Sequence, residues 1–248
     1  MPELRVVGQS PFRKRVTVFV GHFGSGKTEI SLNFALNAAG QGAKVSLVDL
    51  DVVKPYFRSR AARAILEHAG IELIAPTGEH HHADLPILVP AIRDSFRDTS
   101  RRVILDCGGD DTGARALGAI SDVVPEEDSE RLLVLNFRRP FTQNAGEAEQ
   151  MIRGIEAVGR MKITGLISNT HLMRETTPEI VMEGYDMARE TADRVGVPLV
   201  AVTVDEGTAA TLDGTSFDPP VMVLRRIVHP PFEQSPRTGT DGPLFVLN

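Results

Sequence analysis

The segment Gly21-His-Phe-Gly-Ser-Gly-Lys-Thr28 sets three glycines, a lysine and a hydroxyl in the spacing G-x-x-x-x-G-K-[ST]. Glycine lets the main chain curl around an anion with its N–H groups turned inward, where a Cβ would obstruct. Lys27 then reaches the β- and γ-phosphates of a nucleoside triphosphate, and the Thr28 hydroxyl ligates Mg2+. The candidate nucleotide-binding run is Gly21, His22, Phe23, Gly24, Ser25, Gly26, Lys27, Thr28 and Glu29. A dinucleotide loop is the nearest competitor, because Asp49 ends the next apolar run about twenty residues on. Glu29, however, occupies the place where G-x-G-x-x-G needs its third glycine. The Gly-Lys-Thr triplet favours a triphosphate.

Such a site also needs acids to hold Mg2+ and orient a nucleophile. Val45-Ser-Leu-Val-Asp-Leu-Asp51 brings Asp49 and Asp51 to one strand end, on one side by period-two alternation. Val103-Ile-Leu-Asp-Cys-Gly-Gly-Asp110 places Asp106 at the end of another strand, and Gly109 lets a backbone N–H approach the γ-phosphate. Strand-end acids also cap helices and form turns. Asp110 and Asp111 are assigned to capping the helix that follows.

Short β-branched runs alternate with segments of helical period along the chain, which implies an α/β fold. The expected architecture is a doubly wound, mostly parallel sheet of about seven or eight strands with helices on both faces. Strands are expected at 16–20, 44–50, 71–75, 102–106, 131–137, 164–168 and 199–204, with 221–227 as an added edge strand. Helices are expected at 27–39, 58–69, 86–98, 112–121, 142–158 and 178–195. Gly40, Gly70 and Gly196 fall just past helix ends, where left-handed caps favour glycine. Residues 1–15 read as an N-terminal extension, 16–228 as one nucleotide-binding domain and 229–248 as a tail without apolar periodicity. The 248 residues are 42% hydrophobic with a formal net charge of -6, so no global basic field exists for nonspecific nucleic-acid binding. The single cysteine, Cys107, excludes an internal disulfide and an iron–sulfur cluster ligated by cysteines of one chain. No apolar run reaches the ~20 residues of a membrane span, and no signal-peptide core opens the chain, so a cytoplasmic location is the expectation.

The Gly21–Thr28 loop, the Asp49-Leu-Asp51 pair, the Asp106-Cys-Gly-Gly109 turn and Gly165-Leu-Ile-Ser-Asn169 occur in an order that resembles the MinD/ParA class of P-loop ATPases. That class includes nitrogenase iron proteins, arsenite-pump ATPases and cobyrinate or dethiobiotin synthetases. The resemblance runs from about Val16 to Glu206. It implies that Lys27 and Thr28 bind phosphate and Mg2+, that Asp51 orients the attacking water, and that Asp49 and Asp106 serve the Mg2+ shell. It further implies that Asn169 contacts adenine, that Asp205-Glu-Gly207 closes over the base, and that ATP joins two copies into a homodimer. Two departures stand out. The class loop reads K-G-G-x-G-K-[ST], its first lysine reaching the partner's phosphates, whereas this chain has His22 followed by Phe23. With only Cys107 present, nitrogenase-like electron transfer is excluded.

A guanine site of the N-K-x-D kind uses its aspartate to accept from the base. Asn169-Thr-His-Leu172 has leucine there, which favours ATP. Arg58 and Arg60, just after Asp51, are candidates for an anionic second substrate or an acidic partner surface, or for a solvated helix start. Arg138-Arg139 could reach a ligand at the sheet edge, with Thr142 capping the next helix. His80-His81-His82 reads as a polar loop, because three consecutive histidines rarely converge on one ion. The sequence therefore supports a Mg2+-dependent ATPase of slow turnover, acting as a switch for assembly, positioning or maturation of a partner protein. A small-molecule synthetase or kinase on the same fold is one alternative, and an ATP-responsive binding module is another.

Overall fold

Strands too apolar to leave either face in water must lie between two helical layers. The computed structural model, which describes residues 5–7, 11–51, 60–75, 81–212 and 217–227, shows that arrangement. In chain order it runs β1 (Arg5–Val7), β2 (Val16–Gly21), α1 (Lys27–Gly40), β3 (Lys44–Leu50), α2 (Arg60–His68) and β4 (Glu72–Ile74). There follow α3 (His81–Arg97), β5 (Arg101–Gly108), α4 (Asp111–Ala119), β6 (Ser129–Leu135), α5 (Ala145–Gly159) and β7 (Gly165–Ser168). The last elements are α6 (Pro178–Val195), β8 (Leu199–Asp205), α7 (Glu206–Ala209) and β9 (Val221–Leu224).

The sheet order is β1-β9-β8-β7-β6-β2-β5-β3-β4, with β2 through β9 parallel and β1 antiparallel to β9. Two corrections concern its rim. The strand expected at 221–227 ends at Leu224, and it is not an edge, because Arg5–Val7 of the N-terminal extension pairs outside it. A three-residue strand has too little period-two signal to be read from sequence.

Alternation along β2 divides the core. Val16, Val18 and Val20 join Leu117 of α4, Ile152 and Ile155 of α5 and Ala188 of α6 on one face. Phe19 joins Ile30 and Phe34 of α1 and Leu66 of α2 on the other. Phe12, Phe19 and Phe34 meet edge to face there, with centroids 4.6–6.0 Å apart. These layers hold β2 rigidly between β5 and β6, so the carboxyl ends of β2, β3, β5 and β6 form the crevice where open α/β sheets bind ligands.

Helix ends show where local chemistry departs from periodicity. Asp110 caps α4, accepting from Gly113 N. Asn144, not Thr142, caps α5, while the Thr142 hydroxyl donates to Asn136 O at 2.9 Å. Gly70 and Gly196 take left-handed conformations at their helix ends, but Gly40 stays helical and Gly42 makes the turn. α3 begins at His81, so His81 and His82 lie in its first turn rather than in a loop; His80, Arg58 and the tail from Pro230 lie outside the described residues. Among the described residues, no helix is long and apolar enough to cross a membrane.

Candidate functional site

β2 delivers Gly21 to the crevice in register with Gly108 of β5. Gly24 (φ +79°) and Gly26 (φ +90°) then turn the loop through left-handed conformations that a side chain would strain. The loop carbonyls are committed outward. Gly24 O accepts from Arg139 Nε (3.1 Å) and Asn136 Nδ2 (3.4 Å), Ser25 O from Asn169 Nδ2 (2.7 Å), and His22 O from Ser25 N (3.0 Å). Among the described residues, the N–H groups of Gly24, Gly26, Lys27 and Thr28 have no partner. Carbonyls held and N–H groups left over, at the start of a 14-residue helix, make an anion cradle.

The cradle is closed by backbone contact. A Cβ on Gly109 would sit 2.5 Å from Gly21 C and 2.8 Å from His22 N, so the turn after β5 lies directly against the loop. Gly113 packs as tightly on Gly108, its own hypothetical Cβ being 2.2 Å from Gly108 C.

Lys27 and the acids gather beneath. Lys27 Nζ donates to Asp51 Oδ2 at 2.6 Å, and the Thr28 hydroxyl donates to Asp106 Oδ2 at 2.6 Å. Asp49 and Asp106 are cross-strand neighbours on β3 and β5, both fully buried, and Asp49 Oδ1 accepts from Asp51 N. Burial and then the facing Asp106 push the Asp49 carboxyl well above the usual range. Burial raises Asp106 to about 6, against the pull of Lys27 and the Thr28 hydroxyl. For Lys27, burial favours the neutral amine, but Asp106 and Asp51 together outweigh it and the ammonium is held more firmly than usual. Among the described residues, Asp49 Oδ2 and Asp106 Oδ1 are buried without partners. Cys107, buried next to Asp106, has its thiol pushed up by burial and is inert packing.

The other candidates divide. Asn169 is not turned toward open crevice: its amide holds Ser25 O and its Oδ1 accepts from the Thr203 hydroxyl at 2.7 Å. Asp205 caps α7, accepting from Gly207 N, Thr208 N and the Thr208 hydroxyl. Glu29 accepts from Ile227 N and ties α1 to the chain beyond β9. Phe23 is exposed, and the His22 ring lies 5.6 Å from that of Phe141, with Nδ1 buried and unpartnered among the described residues. Arg138 pairs with Glu183 of α6, away from the loop, whereas Arg139 sits on it. Arg60 begins α2. Asn136, His171 and Thr203 escaped the sequence reading. Only Thr203, a hydroxyl inside a buried apolar strand, carried a signal.

No protein-family model matches the chain, and no curated protein matches it in sequence. Solved structures do resemble it. Cell division protein FtsY of Thermotoga maritima superposes with a TM-score of 0.53 at 21% identity, over 88% of this chain and 68% of that one. Chloroplast FtsY of Physcomitrella patens gives 0.52 at 20%, over 89% and 64%. The signal recognition particle 54 kDa protein of Aeropyrum pernix, in complex with GDP, gives 0.52 at 18%, over 77% and 41%. The chain thus spans about two thirds or less of those proteins. The likeness establishes the fold, that of the P-loop NTPases.

Proposed function

We propose that the chain binds ATP with Mg2+, hydrolyses it slowly, and uses nucleotide occupancy as a switch for the assembly, positioning or maturation of a partner protein. The observation that carries this reading is the Lys27–Asp51 ion pair at the foot of the loop, with side chains 7% and 11% exposed. A buried ammonium needs an anionic partner close by. A triphosphate offers Lys27 the anionic oxygens that Asp51 supplies here, and the free N–H groups above it match the remaining phosphate oxygens.

Magnesium fits the donors present. Among the described residues, two buried carboxylate oxygens lack partners, one on Asp49 and one on Asp106, and the Thr28 hydroxyl donates to the other oxygen of Asp106. One or two carboxylates plus phosphate oxygens are what this ion takes. Thr28, Asp106 and Asp49 would hold it, and it would neutralise charge on the β- and γ-oxygens. The protein's own part is positioning. Loop N–H groups and Lys27 would draw on the γ-phosphate, Gly109 would bring its N–H to the loop's outer end, and Asp51, exchanged for phosphate on Lys27, would orient a water.

Adenine is the favoured base. The GDP in the Aeropyrum structure belongs to that protein. In this chain Leu172 replaces the guanine-reading aspartate, and both oxygens of Asp205 are already engaged by α7. ATP-dependent pairing of two copies across the loop face belongs to the same reading, with His22 in place of a cross-reaching lysine. Phosphate release without added substrate, compared for ATP and GTP and with magnesium withheld, tests the proposal. Slow, magnesium-dependent ATP turnover is expected. Uptake without turnover would move the chain to the synthetase or binding-module readings, and a preference for GTP would overturn the base assignment.

A further inference from the structure

The two flanks of the phosphate loop differ in chemistry. The carboxylates that meet Lys27 and Thr28 come from the ends of β3 and β5, and β2 separates those strands from β6, β7 and β8. A nucleotide whose polyphosphate end meets these acids lays its nucleoside on the other flank, over the ends of β7 and β8. Asp205, which ends β8, is spent on α7. Asn169, just past β7, is spent on Ser25 O and the Thr203 hydroxyl. Among the described residues, His171 presents an unspent donor there.

One amide ties His171 to the loop. Asn136 Nδ2 donates to both Gly24 O and His171 O, and Asn136 Oδ1 accepts from His171 N. A Cβ on Gly26 would lie 3.6 Å from His171 Nε2, so that edge of the ring faces the loop. Nδ1 accepts from Met173 N at 3.3 Å, which puts the proton of the neutral ring on Nε2. Burial, then the facing Arg139 and Arg226, keep the ring neutral at neutral pH against the pull of Asp205. Nε2 has no hydrogen-bond partner among the described residues and is not sealed from solvent. The loop N–H groups serve the phosphates, which leaves this donor for the nucleoside. Both purines carry a ring acceptor, N7, on an edge where pyrimidines have none.

We propose that His171 is a specificity-determining residue that donates from Nε2 to N7 of a purine base. It selects purines over pyrimidines, a choice separate from that between adenine and guanine. This role rests on the nucleotide binding proposed above.

The test changes the ligand before the protein. Calorimetry on the full chain with Mg2+ compares ATP with 7-deaza-ATP, in which a C–H replaces the N7 acceptor. ATP should bind roughly five- to tenfold more tightly, as the loss of one hydrogen bond implies. CTP should bind no better than 7-deaza-ATP. His171→Phe keeps a ring without the donor and should bring ATP and 7-deaza-ATP to within about twofold of each other. His171→Gln returns an N–H near the place of Nε2 and should restore part of the difference. A substitution that only loosened the loop would weaken both nucleotides by one factor, so a preference for ATP that survives His171→Phe overturns the proposal. Equal binding of ATP and 7-deaza-ATP by the wild type overturns it too, as does equal binding of ATP and CTP, while the ATP site itself would stand. Uptake of none of the three would overturn the nucleotide reading and the role of His171 with it.

Discussion

Lys27 Nζ and Asp51 Oδ2 are 2.6 Å apart, so the loop's cation is paired with a carboxylate at the end of β3. If Lys27 binds phosphate as proposed, an incoming triphosphate displaces that carboxylate, the same one the proposal assigns to the attacking water. On the proposed function, nucleotide binding and the arming of the hydrolytic group would be one exchange.

This exchange predicts opposite effects on two measurements. Asp51→Asn removes the competing charge and should tighten ATP uptake roughly three- to tenfold while turnover falls. Calorimetry and phosphate release check it. Weaker uptake would mean that Asp51 helps to hold nucleotide rather than competing with it. Lys27→Ala removes the loop's cation and should abolish measurable uptake.

Gly109→Ala should destabilise the protein by about 1–3 kcal/mol, the usual cost of forcing atoms into a filled space. The new methyl would lie 2.5 Å from Gly21 C, which is backbone and cannot rotate away. Nucleotide uptake should fall with it, because the displaced atoms belong to the loop. Gly154→Ala, in open helical space, is the control and should raise the urea midpoint.

The loop, the strand-end acids and the parallel order of the sheet were legible because each rests on local signals: glycine spacing, an acid closing an apolar run, a change of period. The groups that hold the loop in shape were not. Asn136 and Asn169 end neighbouring strands β6 and β7, and they reach the loop only because β6 lies beside β2 in the folded sheet. Nothing in their local sequence distinguishes a loop clamp from a base contact or a turn residue. The short β1 and the Asn144 cap were hidden for a related reason: too few residues to show a period, and two adjacent polar candidates for one cap.

Asn169→Ala separates clamp from base contact. Losing the amide leaves Ser25 O buried without its Asn169 partner and the Thr203 hydroxyl with only the longer bond to Ser168 O, at a cost of about 1–3 kcal/mol. As a clamp, Asn169 should weaken ATP and GTP uptake by the same factor when removed. A loss confined to ATP would restore the adenine role implied by the resemblance to MinD/ParA proteins.

His171 gives the fold an acid limit beside the same loop. Its Nε2 would lie 3.6 Å from a Cβ on Gly26, and its Nδ1 accepts from Met173 N. Burial first, then Arg139 and Arg226, lower its pKa to about 4 from the ordinary 6.5, with Asp205 opposing. The folded protein therefore keeps the ring neutral while the unfolded chain protonates it below 6.5. The stability it contributes is complete above pH 6.5 and drains away as pH falls toward 4. The full window is worth about 3 kcal/mol, and between pH 7 and 5 wild type should lose about 2 kcal/mol that His171→Gln does not. Asp49 and Asp106 shift the other way and act in both proteins alike, so the difference between the two urea titrations isolates the imidazole. Equal losses in wild type and variant would show that His171 accepts its proton without cost in the fold, and the loop would then carry an added positive charge in mild acid.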